Sequence, residues 1–239
     1  MRGGSRMTAP VILAIDTATE LCSVAVLYAG LVERTEAVGQ KHSDRVLPLV
    51  DAVLREGGLQ LQDVDAFAFG AGPGSFTGLR IACGVVQGLA YACQRPVTGI
   101  GNLRALAAAA FARHPRAVTA LVAIDARMRE AYCAVYRNDD EVSELRAPAL
   151  ESPGALDAIR RDVAADLVAG DALKVFPEAW GELAVEQLPD LRGGAADIAR
   201  LARIDVERGR AVTAAAAMPL YVRDRVAQTI DERRRKVIA

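Results

Sequence analysis

Three glycines and a proline fall within seven residues in the run Gly72-Pro73-Gly74-Ser75-Phe76-Thr77-Gly78, which continues Leu79-Arg80. The run stands between a short apolar stretch, 64–69, and a longer one, 79–93, with apolar residues at helical spacing. A chain with this order turns sharply from a strand into a helix, and the glycines fix the shape of that turn. Free amides at the start of the helix could face an anion. The phosphate loop of nucleoside triphosphatases is excluded, because Leu79 rather than lysine follows Gly78. A hydrolase elbow fails too, since Pro73 and Thr77 occupy the places where glycine would flank Ser75. Ser75 is read as the cap of the helix.

Around this run the chain reads as alternating elements. Runs 11–15, 22–28 and 31–38 suit three strands joined by short turns, an antiparallel opening meander. Ser43 is placed to cap a helix with Val46, Leu47, Val50, Val53 and Leu54 on one face and Gly57-Gly58 as its stop. Pro96 ends the helix 79–93, a strand follows at 97–100, and 103–113 is an alanine-rich helix. Ala14-Ile15-Asp16 recurs as Ala123-Ile124-Asp125, and Ala25-Val26 recurs at the same offset as Ala134-Val135. That repeat points to a duplicated strand-turn-strand and two related lobes. The pattern weakens through 151–190, and 197–208 then reads as a helix closed by Gly209.

Composition narrows the function classes. At 52% hydrophobic the chain has ample material for a core, and 29 basic against 30 acidic residues give no sign of a nucleic-acid or membrane-surface binder. Cys22, Cys83, Cys93 and Cys133 are scattered and form no C-x-x-C, so they read as packed thiols in a reducing compartment. No uninterrupted apolar stretch is expected to span a bilayer, and the location expected is cytoplasmic. Residues 1–6 read as a leader outside the fold. His42 and His114 form no H-x-x-x-H, so no metal site of the chain's own is expected. His42 is read as a solvated loop or interface residue and His114 as a helix-end contact.

Taken in order, Ile15-Asp16-Thr17, His42-Ser43-Asp44 with Leu47-Pro48, the run 72–80, Ile124-Asp125-Ala126-Arg127 with Glu130 and Tyr132, and Pro219-Leu220-Tyr221-Val222-Arg223 resemble the TsaB family. These are bacterial tRNA threonylcarbamoyladenosine biosynthesis proteins of the actin, Hsp70 and sugar-kinase superfamily. The resemblance implies an α/β fold of two ribonuclease H-like lobes, each a mixed sheet opening with antiparallel strands and flanked by helices. It divides the chain into 7–105 and 106–239, with the last helix free to pack back on the first lobe. It implies a noncatalytic scaffold or activator in the complex that transfers threonylcarbamoyl from its adenylate to the adenosine beside the anticodon. The partners implied are the catalytic paralogue TsaD, the ATPase TsaE acting through the complex, and tRNA indirectly, with no membrane and a homodimer in isolation. No cofactor of its own is implied, and ATP or ADP and a metal belong to the partner subunits.

On this reading no residue is catalytic. The residues Gly72, Pro73, Gly74, Ser75, Phe76, Thr77, Gly78 and Arg80 are structural. Partner binding is assigned to Val46, Leu47, Val50, Leu54, Leu79, Cys83, Gly84, Val86 and Gly88. A glycine inside a helix costs about 1 kcal/mol relative to alanine, so Gly84 and Gly88, one turn apart, suggest that another backbone packs close. Asp16 and Thr17 are candidate nucleotide ligands, because superfamily enzymes hold phosphates in the turn between their first two strands. The turn Asp16-Thr17-Ala18-Thr19 lacks the glycine that lets amides approach a phosphate, as does Asp125-Ala126-Arg127-Met128. Asp16 and Asp125 are therefore read as organising their turns. The alternative function is an independent ATP-dependent small-molecule transferase using the cleft between the lobes. The basic run Arg233 to Lys236, with Arg223 and Arg225, reads as a solvated end.

Overall fold

The computed structural model describes residues 9–223. The leader at 1–6, Arg225 and the basic run 233–236 lie outside the described residues. The first sheet is built from β1 (Ile12–Asp16), β2 (Leu21–Leu27), β3 (Leu31–Ala37), β4 (Ala66–Gly72) and β5 (Val97–Gly101), in the order β3-β2-β1-β4-β5. The first three strands form the antiparallel meander, and β4 and β5 run parallel to β1. The parallel additions need crossovers, supplied by α1 (His42–Glu56) and α2 (Phe76–Cys93). The second sheet, β6 (Thr119–Asp125), β7 (Ala131–Arg137), β8 (Ser143–Glu151), β9 (Leu167–Ala169) and β10 (Glu186–Leu188), has the equivalent order β10-β9-β6-β7-β8. This is a duplicated two-lobed α/β architecture, each lobe a mixed sheet that opens with antiparallel strands and is flanked by helices.

Four more helices complete the layers: α3 (Asn102–Arg113), α4 (Leu156–Asp162), α5 (Ala172–Val175) and α6 (Ala195–Glu207). The outer face of the first sheet is covered by α1 and α2, and that of the second by α4 and α5. Between the sheets lie α3 and α6, sharing one core with Ile12, Ala14 and Ala68 on one side and Val122, Ala134 and Leu167 on the other. Alanine makes this layer feasible. Ala105, Ala107, Ala110, Ala195, Ala199 and Ala202 are buried, and their small side chains keep helix propensity while letting a helix lie close to two sheets. The boundary at 105/106 falls inside α3, and α6 lies against β1 and β2. Arg104 of α3 bonds Asp205 of α6 at 3.0 Å and the Glu141 carbonyl at 2.6 Å, closing the layer at one end.

Two local readings change. The helix assigned to a Ser43 cap begins at His42 after Lys41, which makes no side-chain cap, and the Ser43 hydroxyl is turned to Asp44 instead. The residue repeat does not keep register. Ala25 faces Ala14, whereas Ala134 faces Val122, because the closing pair Asp125–Ala131 encloses one residue fewer than the pair Asp16–Ser23. A shift of one residue reverses faces, so Ala14 lies in the shared core and Ala123 in the outer core of the second lobe. The duplication is one of topology.

Overpacking tests the shared layer. Ala199→Leu is expected to lower unfolding free energy by about 1–3 kcal/mol, since the added methylenes meet packed atoms from both α3 and the first sheet. Urea denaturation measures it, with Ala112→Leu on the solvent side of α3 as the near-neutral control.

Candidate functional site

The glycine run lies on the β1–β2 turn. The Ser75 amide donates to the Ala18 carbonyl at 2.7 Å, and the Thr17 hydroxyl donates to the Gly78 carbonyl at 2.7 Å. A Cβ on Gly74 would stand 2.7 Å from the Ala18 Cβ and 2.8 Å from its carbonyl oxygen, and one on Gly78 would overlap the Thr17 carbonyl oxygen. The glycines are there because two backbones touch. Ser75 caps α2 by accepting the Gly78 amide at 3.4 Å. That bond occupies its oxygen, and nothing in it supports nucleophilic chemistry.

Beneath this contact Asp16 is buried and its carboxylate is engaged. Its Oδ1 accepts the Ala18 amide at 3.0 Å and the Asn102 side-chain amide at 3.0 Å, while Asn102 Oδ1 accepts the Gly72 amide at 2.7 Å. Burial pushes the Asp16 carboxyl above its ordinary range, and the Ala18 and Asn102 bonds oppose it. Asp16 thus organises its turn, and Thr17 is fully buried with its hydroxyl committed. Asp16 Oδ1 and the Thr17 hydroxyl, the two candidate nucleotide ligands, are thus both engaged within the chain. His42 is also buried, its Nε2 lying 2.8 Å from the Thr19 carbonyl and 3.2 Å from that of Leu21. The solvated-loop reading of His42 is corrected: the imidazole braces the same turn from α1.

Opposite the glycine run is the β6–β7 hairpin. Asp125 accepts the Arg127 amide at 2.8 Å, the local turn bond expected of it, and Arg127, Met128 and Arg129 have φ of 64°, 55° and 58°. Left-handed backbone costs a non-glycine residue about 1–2 kcal/mol. The segment 217–223 crosses from one lobe to the other. Its Leu220 amide donates to Ala71 at 2.7 Å, its Ala217 carbonyl accepts Gln87 at 2.9 Å, and Arg223 reaches the Ala126 carbonyl at 3.0 Å and Glu130 at 2.9 Å. Arg80 lies 3.9 Å over the Phe76 ring and donates to the Tyr221 hydroxyl at 3.0 Å. These elements wall a cleft of about 230 Å³ whose lining includes Pro73, Phe76, Met128, Tyr132 and Tyr221.

The assigned partner-binding residues divide. Val46, Val50, Leu54, Cys83 and Val86 are buried in the core beneath α1 and α2, where their side chains meet the first sheet, and Leu79 is buried at the cleft beside the glycine run, so the assignment of these six to a partner surface is corrected. Leu47 is 51% exposed, and nothing lies within 4 Å of a Cβ on Gly84 or Gly88. The outer face of α2 carries exposed Thr77, Gly84, Gly88 and Tyr91, with Tyr91 80% exposed, and half-buried Ile81 at its edge. Amphipathic spacing located both helices but could not say which apolar positions their own sheet would cover. The sequence reading missed Asn102, Ile81, Tyr91 and the bonds of 217–223, none of which has a periodic signal. Burial pushes the Cys22 thiol up to about 11 and the Cys133 thiol up to about 12, so both are inert packing groups. Among the described residues no group of three His, Cys, Asp or Glu is arranged to hold a metal.

Residues 32–162, more than half of the chain, match the family described as TsaD, tRNA N6-adenosine threonylcarbamoyltransferase. A protein of Escherichia coli K12 named tRNA threonylcarbamoyladenosine biosynthesis protein TsaB is 37% identical over 229 residues, covering 90% of this chain and 96% of that protein. A Haemophilus influenzae protein of the same name is 51% identical over 122 residues, and that stretch spans 51% of each chain. Among solved structures, YeaZ from Pseudomonas aeruginosa superposes with a TM-score of 0.80 at 41% identity, covering 89% of this chain and 99% of that one. A second Pseudomonas aeruginosa structure, described as similar to peptidase YEAZ, gives 0.82 at 40% identity and covers 90% of this chain and all of that one.

Two expectations follow from the geometry. Gly78→Ala should destabilise by about 2 kcal/mol or more, because the clash is backbone on backbone, whereas Gly84→Ala in the same helix should stabilise by about 1 kcal/mol. Paired denaturation curves read the opposite signs. For Asp16, a carboxyl raised by burial contributes stability that is complete below its ordinary value of 3.8 and is lost as pH rises through the higher folded value. Asp16→Asn keeps the Oδ1 acceptor, so the variant's stability relative to wild type is expected to be greater at neutral pH than below 3.8.

Proposed function

The chain belongs to the TsaB family of tRNA threonylcarbamoyladenosine biosynthesis proteins, and on that premise we propose that it is a noncatalytic subunit that gives shape to a catalytic paralogue of the TsaD kind. The reaction served is transfer of threonylcarbamoyl from its adenylate to the adenosine beside the anticodon. ATP or ADP and a metal belong to the partner subunits, an ATPase of the TsaE kind acts through the complex, and tRNA is met through the assembly.

The observation that carries this reading is the outer face of α2. Of its 18 residues six are buried and one, Arg80, is charged. The stripe Thr77, Ile81, Gly84, Gly88, Tyr91 recurs every four and three residues, the spacing at which one helix seats another; Ile81 is half-buried against the first lobe's core, the other four are exposed, and the two glycines leave open space for a close backbone. Exposed Leu47 of the neighbouring α1 extends the apolar surface. Such a patch marks an interaction face. By length and composition alone α2 would also suit an apolar surface other than protein. Its other face is fixed to the first sheet through Ala82, Cys83, Val86 and Ala90, which supports a protein helix over lipid as the cover. In isolation the same face would pair two copies, and the chain's setting is read as the cytoplasm.

Nothing favours the transferase alternative at the turn that would have to hold its phosphates, since the glycine run lies on it.

Gly84→Leu separates folding from pairing. The monomer is expected to remain folded with a higher unfolding midpoint, because leucine is the better helix former and has room there. Affinity for the catalytic paralogue, measured by sedimentation of the purified pair, should fall about tenfold or more, as a side chain at the seam holds the helices apart. Production of threonylcarbamoylated tRNA should fall with it, and undiminished pairing would sink the proposal.

A further inference from the structure

The β6–β7 hairpin is folded against the preference of its own sequence. In the turn closed by the Glu130 amide on the Arg127 carbonyl, at 3.0 Å, both central residues have positive φ, a shape for which asparagine and glycine are the suited pair. This chain has Met128 and Arg129 there, and Arg127 before them also has positive φ. Burial of their side chains does not compensate, because Arg127 is 88%, Met128 73% and Arg129 85% exposed. Backbone strain of this kind persists only where the surroundings over-determine it.

The surrounding group is Arg223. Its guanidinium donates to the Ala126 carbonyl at 3.0 Å and pairs with Glu130 at 2.9 Å, so it grips both ends of the turn, and its Nη1 lies 3.4 Å from the Met128 sulfur. The side chain is only 14% exposed. Arg223 in turn is carried by a segment bonded to the other lobe at Ala71, Gln87 and Arg80.

We propose that Arg223 is a latch, and that segment 217–223 with the hairpin forms an element with a docked and a released position. Docked, the strap holds 126–130 in the disfavoured turn and completes the cleft whose walls include Met128 and Tyr221. Released, the turn relaxes and that wall is lost. Because Arg80 and Gln87 belong to α2, a shift of that helix reaches the hairpin through the strap. This device goes beyond the subunit role above and stands on its own observations.

Native-state hydrogen exchange at the Ala126 and Glu130 amides tests it, since both are bonded within the turn, at 2.9 and 3.0 Å. Arg223→Met is expected to accelerate exchange at these two amides about tenfold or more, with the amides of β6 and α6 unchanged. Converting Met128→Asn together with Arg129→Gly should make the turn self-sufficient, so that Arg223→Met then changes little. Unaltered exchange in Arg223→Met would overturn the latch, as would equal acceleration in the Asn-Gly background. Should Arg223→Met loosen the whole chain, Arg223→Lys keeps the charge and loses the fork. A local acceleration in that variant supports the latch, and its absence overturns it.

Discussion

Backbone lying on backbone, the glycine run against the β1–β2 turn, sets most of what this molecule can do. With Gly74 and Gly78 stripped of side chains, α2 starts within hydrogen-bond reach of Thr17 and Ala18, which fixes where the helix enters and which face it turns outward. The same contact covers the β1–β2 turn. One close approach therefore gives the helix its presentation. A network below it, Asp16 to Asn102 to the Gly72 amide, ties the ends of β1, β4 and β5 together.

The alanine layer makes the two lobes one body. Because α3 and α6 share a core with both sheets, moving one lobe against the other would expose apolar surface on each. Arg104 and Asp205 restrain one end of this layer, and segment 217–223 spans the lobes at the cleft. A rigid body of this kind suits a component that lends a fixed surface to a neighbour. The strained hairpin is the exception, and its departure from local preference is carried by bonds from elsewhere in the chain.

Much of the fold was legible in the sequence because strands and helices leave periodic traces. The opening meander, the strand, turn and helix around 72–80, the alanine helix and the helix near 197–208 were all located from spacing. Faces were not. Val50 and Leu47 lie on the same apolar stripe of α1, yet one is buried and the other is half exposed, and only the sheet beneath decides between them. His42 looked like a loop residue because its partners, the carbonyls of Thr19 and Leu21, are reached through tertiary structure. The Ala-Ile-Asp repeat was real as letters and misleading as register. Segment 217–223 is irregular, and long-range bonds from irregular backbone have no periodic signal.

The bare outer stripe of α2 has a consequence for supply. A polypeptide made in excess of whatever covers that stripe exposes a nearly uncharged helix face with two glycines, which favours self-association and capture by chaperones and proteases. The amount in which this chain is synthesised thus becomes a physical variable, because every copy with that stripe left bare is open to these fates.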